Sequence, residues 1–167
     1  GCVACAFGKF SSAQGAALES TCNACPAGKR GAPATVGIAN AHCTACDPGT
    51  YQGEAAKTTC AECDSGRFGP AAGSASCTAC VAGRFTNLKK QTACSPCDAG
   101  MYANSAARTV CINCEAGRFS TTTGQSECTT CTAGWYRINV KGTKAQDAVD
   151  GCVACAFGKF SSAQGAA

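Results

Sequence analysis

The sequence predicts a small disulfide-rich fold, an elongated tandem array of short irregular β-hairpin modules joined in a disulfide ladder, with little helix and no large core. Three observations predict it: a high cysteine content, a shortage of large apolar residues, and one Cys-x-x-Cys spacing that recurs along the chain. The first two belong together, because covalent crosslinks stabilise small modules that cannot bury enough apolar surface.

The composition supports the first two observations. Cysteine contributes 18 of 167 residues, whereas Leu, Ile, Val and Phe together contribute only 19. A chain with less than roughly 20% of these large apolar residues does not normally build a core. The net charge of +4 comes from scattered single charges, which argues against a nucleic-acid partner. We also expect no membrane span, since no apolar run approaches roughly 18 residues.

All cysteines belong to Cys-x-x-Cys pairs, and these pairs define the modules. Successive pairs begin 20, 21, 17, 17, 17, 17, 17 and 24 residues apart. A module is taken here to run from one pair to the residue before the next pair. Five equal spacings in a row indicate a tandem repeat protein. The nine pairs are Cys2/Cys5, Cys22/Cys25, Cys43/Cys46, Cys60/Cys63, Cys77/Cys80, Cys94/Cys97, Cys111/Cys114, Cys128/Cys131 and Cys152/Cys155.

Two further positions repeat inside each module. A glycine follows each pair by three residues, and an aromatic residue follows that glycine by two residues in eight of nine modules; the exception is Arg30. We expect the glycine to adopt a positive φ or to let the backbone pass close to a disulfide. We expect the aromatic ring to cover that disulfide and to form the core of its module.

A longer period is superimposed on the modules. Residues 151–167 are identical to residues 1–17. The sequence therefore predicts one superrepeat of eight modules over residues 1–150, with the start of the next identical superrepeat at 151–167. Since the chain begins at Gly1 without a signal peptide, we expect it to be a segment of a longer exported protein. Either the gene encodes near-perfect copies of 150 residues, or the chain is one period of a continuous fibre plus an overlap, and both readings predict self-association, head to tail along a fibre axis.

Three chemical roles for the cysteines compete. A disulfide ladder, in which the second Cys of one pair bonds the first Cys of the next, suits the uniform period. A zinc site would use pairs two at a time and would make the spacings alternate. A thioredoxin-like motif would need a βαβ unit around one pair. The ladder would bond Cys5–Cys22, Cys25–Cys43, Cys46–Cys60, Cys63–Cys77, Cys80–Cys94, Cys97–Cys111, Cys114–Cys128 and Cys131–Cys152, with Cys2 and Cys155 bonding outside the segment.

The pattern C-x-x-C-x-x-G-x-[FY]…C-x-x-C resembles the ephrin-receptor-like cysteine-rich repeat, which is related to growth-factor-receptor modules. It is also similar to the cysteine-rich surface antigens of ciliates. The resemblance covers nearly the whole chain and implies an extracellular or cell-surface rod with loop-closing disulfides. Arg30 and the long insertion Trp135–Asp150 depart from the pattern.

Candidate sites are few. His42 is the only histidine, and Asp147 and Asp150 lack the alternating oxygen ligands of a calcium loop. We therefore expect no catalytic residue, metal or cofactor, and no enzymatic activity. Because no Asn-x-Ser/Thr sequon occurs, any glycan should be O-linked. The candidate O-glycosylation residues are Ser11, Ser12, Thr58, Thr59, Ser120, Thr121, Thr122 and Thr123.

Two functions fit these features. The first is a structural subunit of an extracellular filament or surface coat. The second is a rod-like receptor or adhesin ectodomain that presents a ligand-binding patch near Trp135, where an exposed aromatic residue and the nearby arginines Arg108 and Arg137 would supply the contacts.

Overall fold

A computed structural model describes residues 5–11, 21–31, 43–136 and 151–162. Within these ranges the chain forms sixteen strands of two or three residues and no α-helix. The strands are β1 Lys9–Phe10, β2 Asn23–Ala24, β3 Lys29–Gly31, β4 Cys43–Ala45, β5 Thr50–Tyr51, β6 Ala61–Glu62, β7 Arg67–Phe68, β8 Thr78–Ala79, β9 Arg84–Phe85, β10 Ser95–Pro96, β11 Met101–Tyr102, β12 Ile112–Asn113, β13 Arg118–Phe119, β14 Thr129–Thr130, β15 Trp135–Tyr136 and β16 Val153–Ala154.

Each hairpin joins two consecutive modules, because every odd-numbered strand pairs with the strand that follows it. The second strand lies at the two residues between the cysteines of the next pair. In the first hairpin, for example, Lys9 pairs with Ala24 and Phe10 with Asn23 in antiparallel register. A two-stranded ribbon this short is not stable in water by itself. The hairpins therefore depend on the disulfides beside them.

A tight turn leads into each hairpin and explains the repeated glycine. The N–H of Arg67 donates to the Asp64 carbonyl at 3.0 Å, which closes a four-residue turn with Gly66 in its third position. A type II turn requires a positive φ there, and glycine adopts it without steric cost. All nine glycines that follow the cysteine pairs have φ between 75° and 84°. The predicted positive φ is confirmed.

The disulfide ladder is confirmed. Eight bonds connect consecutive modules: Cys5–Cys22, Cys25–Cys43, Cys46–Cys60, Cys63–Cys77, Cys80–Cys94, Cys97–Cys111, Cys114–Cys128 and Cys131–Cys152. Five of them close loops with the same separation of 14 residues. These sulfurs are bonded to each other, so they are not the free thiolates that a zinc site requires.

The core differs from the one predicted. Its fully buried side chains are the second cysteines of the pairs, among them Cys25, Cys46, Cys63, Cys80 and Cys97. The aromatic residues are only half-buried between Phe10 and Tyr136, and Phe160 is exposed. The expectation of one buried ring per module was wrong. The physical reason is that a two-residue strand has no opposing layer that could cover both faces of a ring.

A buried small residue was missed by the sequence analysis. The residue directly after the aromatic is buried in most described modules, as at Gly69, Thr86, Ala103 and Ser120. Ala103 has no exposed surface. The signal was present, because seven of the nine modules carry Gly, Ala, Ser or Thr at this position. Small side chains are needed there because the next module packs against them, as described below.

The modules are grouped into two compact units. The first comprises residues 1–78 and 88–93 and contains β1 to β7. The second comprises residues 79–87 and 94–167 and contains β9 to β16. Arg30, which replaces the aromatic in the first unit, leaves the module geometry unchanged: it pairs with Thr44 in the β3–β4 hairpin.

Candidate functional site

Backbone hydrogen bonds between neighbouring modules form the most regular surface of the chain. Within the first unit, the N–H of Gly49 donates to the carbonyl of Gly69 at 2.9 Å. Within the second unit, the N–H groups of Gly83 and Gly100 donate to the carbonyls of Ala103 and Ser120, both at 2.8 Å. The acceptors are the small buried residues that follow the aromatics. Each module therefore binds the next one through framework positions that nearly every module has.

A second backbone hydrogen bond between modules comes from the tip residue of the loop, which lies seven residues after the turn glycine. The tip residues Ala56, Gly73, Lys90, Ala107 and Gly124 all have positive φ, between 59° and 76°. Their N–H groups donate to the carbonyls of Cys25, Cys46, Cys63, Cys80 and Cys97, at 2.7 to 2.8 Å. Three of these five tips are not glycine, so they keep an uncommon conformation for an L residue. The tip thus binds the buried cysteine of the module before it.

The same tips reach two modules back. Within the first unit, the Lys90 carbonyl occupies the space that a Cβ on Gly49 would need, and the Ala56 carbonyl does the same at Gly8. The relation recurs between Gly28 and Gly73, and in the second unit between Gly83 and Gly124. Glycine is therefore required at this turn position for two reasons. It adopts the positive φ, and its missing side chain leaves room for the backbone carbonyl of another module. Sequence reasoning found only the first requirement.

One ion pair accompanies this contact. The Lys89 ammonium lies 2.9 Å from an Asp64 carboxylate oxygen, beside the bond from Lys90 to Cys63. Its hydrogen bond to Asp64 and the charge of that carboxylate raise the pKa of Lys89 above the ordinary value of 10.5. Both side chains are mostly exposed, so the pair contributes little by itself.

The two identical segments have different surroundings. Gly8 is buried, and Phe10 is half-buried and paired in a hairpin. In the second copy, Phe160 is 86% exposed, and no heavy atom of the described residues lies within 4 Å of a Cβ position on Gly158. Because the sequences are the same, the difference comes from the modules that cover residues 5–11.

The surroundings of Gly134 differ in the same way. Gly134 has φ +84°, and nothing among the described residues lies within 4 Å of its Cβ position. The turn glycines Gly8, Gly28, Gly49 and Gly83 all have a carbonyl there.

Cys155 belongs to the second copy of the repeated segment. It is the one cysteine without a disulfide among those that the structure describes, and it is partly exposed. Its counterpart in the first segment, Cys5, is bonded to Cys22. Cys2, which was also expected to bond outside the segment, lies outside the described residues.

The patch suggested near Trp135 is partly described. Trp135 is 45% exposed and pairs with Ala154 in the β15–β16 hairpin. The Arg108 guanidinium donates to the Asn104 side-chain oxygen at 2.5 Å and 3.2 Å. Arg137 lies outside the described residues.

The candidate glycosylation residues differ in accessibility. Thr59, Thr121, Thr122 and Thr123 are exposed, and Ser11 and Thr58 are half-buried. Ser120 must be removed from this set: it is 3% exposed, and its hydroxyl donates to the Thr122 carbonyl at 3.0 Å. It occupies the small buried position of its module. Ser12 lies outside the described residues.

Other candidates give no site. His42, Asp147 and Asp150 fall outside the described ranges. Within those ranges, no three His, Cys, Asp or Glu side chains are grouped in a way that could hold a metal ion. The described part of the chain also contains no helix with the length and apolar character needed to cross a membrane.

The ladder, the turn glycine and the repeated contacts define a tandem cysteine-rich repeat protein. The family model described as tyrosine-protein kinase ephrin type A/B receptor-like matches residues 34–80 and 83–125 in tandem. These stretches cover 90 of the 167 residues. The chain belongs to this ephrin-receptor-like family. No curated protein matches it. Disulfide-rich repeats of this family are typical of extracellular or cell-surface domains.

Proposed function

We propose that the chain is a non-enzymatic structural subunit of an extracellular filament or surface coat, in which copies join head to tail. The observation that carries the proposal is a contact between modules that recurs in both units, together with the identity of residues 1–17 and 151–167. Because the sequence repeats with a period of eight modules, copies that continue this period would repeat the same contacts along one axis.

The chemistry of the contact supports growth in one direction. It consists of backbone hydrogen bonds, turn glycines and loop tips, which recur in both units, as at Gly49 and Lys90 and at Gly83 and Gly124. In repeat proteins each unit interacts only with its near neighbours, and stability is roughly a sum of such local terms. An added copy would therefore meet the same contacts as the copy before it. Disulfides that persist outside the cell would keep such a polymer resistant to proteases.

A receptor or adhesin ectodomain is the second candidate, and exposed Trp135 favours it. Exposed tryptophan is enriched among residues that contribute most to binding. Trp135 is the only tryptophan of the chain, so its fluorescence reports this position alone. The equivalent positions in other modules range from exposed at Lys29 to buried at Thr50, so assembly can itself change the emission and ligands are tested on the unassembled chain. A ligand bound at the patch would shift the emission and reduce quenching by acrylamide.

Sugars are proposed for the exposed hydroxyls only. Thr59, Thr121, Thr122 and Thr123 lie on loops where an O-linked glycan would not disturb the contacts between modules. Intact-mass measurement of the secreted protein, with and without chemical removal of O-glycans, tests this part of the proposal.

Sedimentation velocity tests the assembly. The oxidised chain should form a series of growing species as its concentration rises, and full reduction should abolish the series, because the modules lose the bonds that maintain them. A single monomeric species over the whole concentration range would refute the filament. Retained assembly together with a ligand-induced shift of Trp135 emission would support the adhesin in addition.

A further inference from the structure

We propose that the Lys90–Gln91 peptide bond is a latent processing site, which a protease specific for paired basic residues cleaves only after the loop tip has left Gly49. The proposal concerns the single chain and does not depend on assembly. Lys89 and Lys90 form one of two pairs of consecutive basic residues in the sequence. Both are exposed and lie at a loop tip, and exposed tips are the usual places of proteolytic nicking. Their side chains are therefore accessible to such a protease.

The backbone at the tip is not accessible in the same way. The Lys90 N–H donates to the Cys63 carbonyl at 2.8 Å. The Gln91 carbonyl accepts a bond from the Gly69 N–H at 2.9 Å. The carbonyl carbon of Lys90, which is the atom that a protease attacks, lies 2.7 Å from where a Cβ on Gly49 would be. All these residues belong to the first unit, and their contacts cover the bond to be cleaved.

The conformation of the tip also opposes cleavage. A protease binds its substrate as an extended strand, whereas Lys90 has φ +59°. The Lys89 ammonium lies 2.9 Å from an Asp64 carboxylate oxygen, so Lys89 cannot bind a protease until this pair separates. Cleavage therefore requires that the tip opens, and its rate follows the open fraction of the tip when closing is faster than cleavage.

The covalent step is a hydrolysis. One water molecule is added across the amide bond, Lys90 gains a carboxylate, and Gln91 gains an amino group that takes up the proton of the new acid. No fragment leaves, because the Cys80–Cys94 disulfide closes the loop around the cut. The two halves of the tip become independent ends, so restoring the contact with Gly49 costs more conformational entropy than before. The cut thus keeps an opened tip open.

The second pair of basic residues is an internal control. Lys29 and Arg30 are also exposed, but they lie in strand β3 and pair with Ala45 and Thr44 of β4. The three atoms nearest to the Gly49 Cβ position all belong to Lys90, so a side chain there displaces the tip and should leave β3 paired. The bond after Arg30 should therefore stay uncut as long as the chain is folded.

Digestion of the oxidised chain at low concentration by a serine protease specific for paired basic residues tests the proposal. Cleavage after Lys90 adds the mass of one water molecule before reduction and gives fragments 1–90 and 91–167 after it. We expect slow cleavage in the unchanged chain. Cleavage should be roughly tenfold faster or more in Gly49→Ala, because the added Cβ displaces the Lys90 carbonyl. Lys90→Gln in the same background should abolish it.

Gly8→Ala is the matched control. Gly8 has a similar φ of +76°, and its Cβ would meet the carbonyl of another tip residue of the first unit, Ala56. This change should leave the rate of cleavage after Lys90 unchanged. An unaltered number of free thiols shows that each variant has kept its disulfides. If Gly49→Ala does not recover them, Asp64→Asn replaces it, with an expected increase of about two- to fivefold from release of Lys89.

Several results would overturn the proposal. One is an equal rate of cleavage after Lys90 in the unchanged chain and in Gly49→Ala, or in Asp64→Asn where that variant replaces it. Another is an equal increase in Gly8→Ala, and a third is a parallel increase after Arg30, because general unfolding would then control cleavage. Cleavage of the reduced and alkylated chain after Lys90, without any in folded Gly49→Ala, would also show that the tip does not open at Gly49.

Discussion

The carbonyl of Lys90 lies against the Cα of Gly49, two modules earlier in the chain and in the same compact unit. Any side chain at residue 49 would have to occupy the place of that carbonyl. The tip that carries Lys90 is fixed at the same time by its N–H, which binds the buried Cys63. The module that contains Gly49 is therefore held by its own disulfide and by the two modules that follow it.

This contact makes the turn glycines unequal. Gly49→Ala should be clearly destabilising, because the left-handed φ costs roughly 1–2 kcal/mol and displacement of the Lys90 backbone adds roughly 1–3 kcal/mol. Gly134→Ala is the matched control, with a similar φ and an open Cβ position. Amide hydrogen exchange should show faster exchange of the Lys90 N–H in Gly49→Ala. Equal destabilisation by both variants would mean that the contact is unimportant.

Reduction should unfold the modules. Each bond that closes a loop of 14 residues contributes about 3 kcal/mol in the entropic model, and the described core consists mainly of the cysteines themselves. We expect loss of circular dichroism structure and rapid protease digestion after reduction and alkylation. The control is the oxidised chain, in which the disulfides are intact and only free thiol has been alkylated. If the reduced chain stayed resistant to protease, apolar packing and not the disulfides would stabilise the modules.

The small residue after the aromatic should not tolerate enlargement. Ala103→Leu places a large side chain at a site with no exposed surface, next to the Ala103 carbonyl that accepts the Gly83 N–H. We expect a loss of roughly 1–3 kcal/mol from overpacking, measured by the denaturation midpoint. Ala106→Leu, an exposed change in the same module, should stay within roughly 0.5 kcal/mol. Similar midpoints for the two variants would contradict a packed interface at residue 103.

The Lys89–Asp64 pair should give a defined pH response. Because the folded pKa of Lys89 is raised, its stabilising effect is complete below the unfolded value of 10.5 and is lost as pH rises through the folded value. NMR titration should place the Lys89 midpoint lower in Asp64→Asn than in the unchanged protein, and added salt should reduce the difference. Identical titrations would mean that the pair does not form in solution.

Much of the module could be predicted, because it depends on local rules. The Cys-x-x-Cys spacing predicted the ladder, and the glycine after each pair predicted a positive φ. The core could not be predicted in the same way. Whether Phe85 is fully or half-buried depends on what covers it, and two-residue strands gave no periodicity from which to infer a second layer.

The interface between modules was not predicted from the sequence at all. The tip residues Ala56, Lys90 and Ala107 adopt positive φ without being glycine, so turn statistics gave no signal for them. Their conformation is imposed by bonds to the preceding module. Only the repeated small residue at positions such as Ala103 hinted that another backbone passes close by.

Electron microscopy of the oxidised, concentrated chain tests head-to-tail assembly most directly. The account predicts unbranched fibres of one width that lengthen with concentration and that are lost after full reduction and alkylation. Separate particles of single-chain size at every concentration, or fibres that persist after reduction, would contradict it.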